Sequence, residues 1–160
     1  MSYSGRFLSW LNRCRLSETA TLTSVTGTAC PCMTSRDASN PSYSEEWHRN
    51  NSGEDDCNGT GLIDTTTVTT TFKAIFSPPG LVGTTIPNGT VLLQQIGEVT
   101  DDDLFMWGAV NSSTLAAVSF DGLSEYNDYI TKDSIKYAVR DVVDLPGSVG
   151  QVAVLVRRNA

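Results

Sequence analysis

The chain has 160 residues, 39% of them hydrophobic, and a formal net charge of −7 at pH 7. That length supports one domain with a buried core, and the composition excludes a disordered chain. The acid excess argues against a sequence-specific nucleic-acid reader, which carries a basic face, and no apolar run approaches the roughly 20 residues of a membrane helix.

The opening "MSYSGRFLSWLNRCR" has too short an apolar part for a signal peptide, so an intracellular setting is expected. The Asn-x-Ser/Thr triplets at Asn50, Asn58, Asn88 and Asn111 then read as chance products of a Thr/Ser/Asn-rich chain. Within residues 3–13, Phe7, Leu8 and Leu11 share one side with Trp10 beside them, which predicts a short amphipathic helix. Residues 18–26, "ETATLTSVT", alternate threonine with Ala20, Leu22 and Ser24 and predict a strand.

A polar segment follows, residues 28–61, and after it "LIDTTTVTTTFKAIFSPPG" predicts one long strand or two, stopped by Pro78-Pro79-Gly80. Gly83, Pro87 and Asn88-Gly89 point to a turn or hairpin over 81–90. "TVLLQQIGEV" reads as a strand, "TDDDLFMWGAV" as an acidic loop leading into a strand, and "TLAAVSF" as another short strand. The C-terminal part divides into strands at Tyr129–Ile130, Ile135–Leu145 and Val152–Arg157, with a phase slip at Val142-Val143 that suggests a bulge. Short strands at regular spacing predict a mainly β fold: a small antiparallel β-barrel or sandwich with a short N-terminal helix. Residues 1–27 and 62–160 are expected to form the barrel core, and residues 28–61 an inserted loop subdomain.

That insertion holds Cys30, Cys32 and Cys57 and the only histidine of the chain, His48. Three thiolates and one imidazole make a complete tetrahedral ligand set for structural zinc. A segment this long with so little core-forming content would not order by itself, whereas metal binding supplies folding free energy. Pro31 restricts the first pair, the glycines of "CNGTG" let backbone amides turn towards sulfur, and Trp47 stands ready to cover the site. "NPSYSEEW" suggests a short helix carrying His48. Cys14, between Arg13 and Arg15, is an alternative fourth ligand. A Cys30–Cys32 disulfide would be strained.

Catalysis finds little footing. A Ser-His-Asp or Cys-His arrangement would have to take His48 from the metal set, and no G-x-S-x-G, Walker A or G-x-G-x-x-G motif occurs. Asp101-Asp102-Asp103 on a strand would point to alternate faces and make a poor cation cage, so solvated charge is expected there. The charge is also uneven: residues 1–36 hold Arg6, Arg13, Arg15 and Arg36 against Glu18, while residues 98–144 hold ten acids against Lys132, Lys136 and Arg140. Such polarity suits one end of a molecule docking on the other end of a neighbour.

Two stretches, "RFLSWLNRCRLSETATLTSVTG" (6–27) and "DYITKDSIKYAVRDVVDLPGSVGQVAVLVRR" (128–158), resemble the head-closure (stopper, or head–tail connector) neck proteins of tailed bacteriophages. The likeness lies in a short helix leading into a Thr-rich strand, and in a closing strand–turn–strand pattern that ends in basic residues. The "CPC…YSEEWH…DCNGTG" block is not a feature of that family as a whole. The resemblance implies a virion neck protein assembled in the host cytoplasm, a homo-oligomeric ring between portal or adaptor and tail. Such a ring lines a channel through which DNA passes non-specifically and helps retain packaged DNA. Arg6, Arg13 and Arg15 would then be docking residues towards a neighbour or the portal side. A tail-tube or tail-terminator component, and a cytosolic zinc-stabilised β-fold protein-interaction module, are the alternatives.

Overall fold

The computed structural model describes residues 5–34, 44–52, 57–87, 98–124, 127–145 and 151–158. The elements in chain order are α1 (Gly5–Arg13), β1 (Ser17–Ala29), α2 (Glu45–Asn50), β2 (Leu62–Ser77), α3 (Val82–Thr85), β3 (Leu104–Asn111), β4 (Tyr129–Lys132), β5 (Ile135–Asp144) and β6 (Gln151–Arg157). Six strands close a barrel in the order β1-β2-β3-β6-β5-β4. Every recorded pairing is antiparallel, and β4 returns to β1 with Leu22 opposite Ile130. Closure removes the unpaired edges that an open sheet would expose. No helix among the described residues is long and apolar enough to cross a membrane.

The chain folds as two compact units: residues 1–23 with 69–160, and residues 24–68. In the first unit the strands carry two cores. Ala20, Leu22, Phe72, Ala74, Met106, Ala109, Ile130, Ala153 and Leu155 gather into one cluster with Phe76, Val118 and Phe120. Leu8, Leu11, Ile75, Val82, Ile86, Phe105, Trp107, Val152 and Val154 form the other. Strands β3 and β6 supply alternate residues to both, which is why Phe105–Val110 and Gln151–Leu155 are buried without interruption. α1 covers the second cluster through Leu8 and Leu11, each contributing roughly 1.5–3 kcal/mol by burial.

α1 approaches β3 at Gly108, whose φ is +62°. A Cβ there would lie 3.0 Å from Leu11 Cδ2 and 3.3 Å from Phe7 Cε1. Gly108→Ala combines left-handed backbone strain with this crowding, so a loss of about 1–3 kcal/mol is expected in chemical denaturation. An unchanged midpoint would show that the helix has room to retreat.

Several sequence expectations need correction. Of the turn or hairpin expected over 81–90, the described part is a 3₁₀ turn, Pro79–Leu81, running into α3, where Val82 and Ile86 bury an apolar face; Asn88-Gly89 lies outside the described residues. "TLAAVSF" is not a strand, and its only ladder contact is a single bridge between Val110 and Ala117. The bulge of β5 lies between Val139 and Asp141, not at Val142-Val143. Arg140 occupies it and turns its guanidinium to Asp103 and Asp141. The expected strand over "TVLLQQIGEV" falls almost wholly outside the described residues.

Of the three consecutive acids, Asp101 and Asp102 are exposed, as solvated charge should be, but Asp103 is buried. Its Oδ2 accepts from the Thr100 N–H at 2.9 Å and lies 3.5 Å from Arg140 Nη1. Asp103→Asn keeps the shape and removes the charge. A loss of about 1–3 kcal/mol is expected, read as a lowered denaturation midpoint.

Candidate metal centre

The second unit, residues 24–68, contains a two-stranded ribbon formed by the end of β1 and the start of β2. Thr26 Oγ1 reaches the Thr66 carbonyl at 3.4 Å, and the Cys30 N–H donates to the Gly61 carbonyl at 2.8 Å. Gly27 is required by close approach, since a Cβ there would sit 2.6 Å from the Ile63 carbonyl oxygen. The ribbon's threonines are largely exposed, with Val68 54% exposed among them. Two strands with so little burial are marginal by themselves, so this unit needs another source of order.

Three chain segments supply it. Cys30 directly follows β1, and Pro31–Thr34 forms a 3₁₀ turn in which the Met33 N–H returns to the Cys30 carbonyl at 2.9 Å. This turn brings Cys32 back beside Cys30. α2 begins after Ser44, whose side chain accepts from the Trp47 N–H at 3.3 Å, and it carries His48. Cys57 starts a tight turn: Thr60 N–H and Oγ1 both donate to the Cys57 carbonyl, at 2.9 and 2.6 Å. Asn58, Gly59 and Gly61 take positive φ of 49°, 81° and 73°, which explains the "NGTG" spelling.

The ligand atoms of Cys30, Cys32, His48 and Cys57 all lie within 4.8 Å of one another. Cys30 Sγ is 3.5 Å and Cys57 Sγ 3.6 Å from His48 Nε2, and Cys32 Sγ is 3.7 Å from Cys57 Sγ. A tetrahedral ion with bonds of roughly 2.3 Å to sulfur and 2.0–2.1 Å to nitrogen sets edges of about 3.8 Å between sulfurs and about 3.6 Å between sulfur and nitrogen. Those observed separations match such a polyhedron. They do not match a disulfide, which requires about 2.05 Å, and all four cysteines are free thiols.

The three cysteines are 0–3% exposed, and Met33, Trp47 and Ile63 pack against them. The Trp47 ring stands edge-on to His48, 5.0 Å between centroids. Burial pushes the Cys32 thiol up to about 11, with the neighbouring Cys30 and Cys57 thiols adding to the rise and a Ser44 backbone hydrogen bond opposing it. A divalent cation reverses that preference, because thiolate is the form it binds. Metal uptake at this site therefore releases protons, and affinity falls as pH falls.

The cluster takes His48 and leaves Cys14 out. Cys14 is half-buried against the Leu8–Leu11–Trp107 core of the first unit, and its carbonyl accepts from Ser17 Oγ at 2.7 Å. Arg6 and Arg13 on α1 and Arg15 just after it are exposed. The helix expected to carry His48 is present from Glu45, while Pro41 lies outside the described residues. Sequence reading missed that Ile63 and Met33 join Trp47 in enclosing the thiols.

No protein-family model matches the chain, and a search of curated proteins also finds no match.

Proposed function

We propose that this is a non-catalytic structural protein in which Cys30, Cys32, His48 and Cys57 hold one zinc ion and thereby fix the Thr-rich ribbon as a docking surface. The observation that carries this reading is the Cys₃His cluster, all four ligand atoms within 4.8 Å of one another and three of their separations at tetrahedral edge lengths, buried and packed against Trp47. Four protein ligands leave no position for an activated water, so the zinc is structural. Zinc suits this set because it accepts mixed sulfur and nitrogen ligands in tetrahedral geometry without redox chemistry.

The setting that fits best is the neck of a tailed-phage virion. There the chain would form a homo-oligomeric ring between portal or adaptor and tail, with packaged DNA passing through its channel. Support comes from the resemblance of residues 6–27 and 128–158 to head-closure proteins and from the closed barrel behind those stretches. The net charge of −7 suits a lumen along which DNA slides without sticking. Electron microscopy of the purified protein, alone and mixed with a portal assembly, is the test. Ring-shaped particles with an axial channel are expected. A protein that stays monomeric and unbound under both conditions would contradict the neck assignment.

A second reading, a zinc-stabilised β-fold protein-interaction module, is favoured by residues 24–68 forming a compact unit of their own. It needs the metal and the exposed ribbon but no ring.

A further inference from the structure

The outer face of α1 carries a feature that neither the metal centre nor the barrel core uses. At 100° per residue Arg6, Trp10 and Arg13 (i, i+4 and i+7) share one side of the helix, opposite the buried Leu8 and Leu11. Trp10 is 46% exposed, a large apolar ring flanked on its own helix face by two guanidinium groups. It does not hang loose. Its centroid lies 5.7 Å from that of Phe7 and 6.3 Å from that of Trp107, while Phe7 and Trp107 are 5.5 Å apart. Such a three-ring stack fixes the exposed tryptophan before any partner arrives, and that lowers the ordering cost of association. Just beyond the helix, Arg15 is exposed and Leu16 is 68% exposed. Exposed, preorganised tryptophan among arginines is the residue chemistry of a binding hot spot.

The same unit carries the complementary surface. The loop of Glu98, Asp101, Asp102 and Asp103 folds against Arg140: Nη1 of that residue donates to the Glu98 carbonyl at 3.2 Å and approaches Asp103 at 3.5 Å. Nε of Arg140 donates to Asp141 at 3.1 Å. This guanidinium thus meets two carboxylates, those of Asp103 and Asp141, while Glu98, Asp101, Asp102 and Asp141 are exposed. The patch keeps a clear negative excess.

We propose that the Arg6–Trp10–Arg13 face of α1 docks on the Glu98–Asp102/Asp141 acidic patch of a second copy of this chain. Opposite charge supplies steering and register, and Trp10 supplies the desolvated anchor. The inference rests on the homo-oligomeric part of the reading above and is independent of the phage setting and of the metal.

The test is sedimentation equilibrium of the full chain across concentration and salt. It uses the wild type, Trp10→Ala, Arg6→Glu/Arg13→Glu, and Asp101→Lys/Asp102→Lys, with metal content and melting temperature confirming that each variant folds. Wild-type self-association is expected to weaken as salt rises, and each variant to weaken it by at least about ten-fold. Mixing the two charge-reversed proteins is expected to restore association between them, which a merely structural role for these residues would not produce. Wild-type assembly that all three variants retain would overturn this surface and leave the oligomeric reading standing. A wild type that is monomeric at every concentration and salt would overturn both.

Discussion

On the zinc-site reading proposed above, Cys57→Ser protein is expected to purify without metal and with residues 24–68 disordered, while the barrel unit still folds. Cys57 is 3% exposed, and its sulfur faces both Cys32 Sγ at 3.7 Å and His48 Nε2 at 3.6 Å. A serine hydroxyl is a harder, shorter ligand that does not reach those positions as thiolate does. The loss in metal affinity should exceed the 10–100-fold typical of changes outside the ligand shell. For a small unit the metal term is decisive, since structural zinc supplies apparent binding free energies of about 10–16 kcal/mol in peptides of comparable simplicity. No residue of either large core lies within 24–68, so the barrel's own transition should stay near its wild-type midpoint. Amide exchange reads this directly. The Cys30 and Thr60 N–H groups, bonded to Gly61 and Cys57 carbonyls, should lose protection, and the β3–β6 ladder should keep it. Cys14→Ser is the control: the cluster does not include Cys14, so the zinc content of that variant should match wild type.

Phe105→Ala should give the converse pattern. Phe105 is fully buried on β3, within the core that α1 and α3 cover. Truncating it to alanine leaves a cavity in the core cluster it shares with Leu8, Leu11 and Val82, and a loss of about 3–5 kcal/mol is expected. Guanidinium unfolding followed through tryptophan fluorescence would measure it. Zinc stoichiometry should be retained, because the metal ligands belong to the other compact unit. A Phe105→Ala protein that loses metal in step with its barrel would show that the two units fold as one.

How much of this was legible in the sequence follows from which signals are local. The ligand set was, because thiols and a lone imidazole in polar sequence have few other uses, and the "CNGTG" turn advertises its positive-φ positions. The strands with clean alternation were also legible: β5 was placed at 135–145 against an observed Ile135–Asp144. What failed was long-range. At the bulge the Arg140 guanidinium meets Asp103 and Asp141, and Asp103 lies 37 residues away in sequence. α3 forms because Val82 and Ile86 find the face of another element, and no local signal in "LVGTTIP" announces that. Phe105–Val110 is buried on both sides only because α1, nearly a hundred residues earlier, covers the outer face. Asp103 could not be told from Asp101 and Asp102 until Thr100 and Arg140 were seen around it.

Zinc K-edge X-ray absorption on the protein purified without added metal or chelator tests the central claim most directly. The account predicts about one zinc per chain in a first shell of three sulfurs at about 2.3 Å and one nitrogen at about 2.0–2.1 Å. A first shell dominated by oxygen, or zinc well below one equivalent in folded protein, would contradict it.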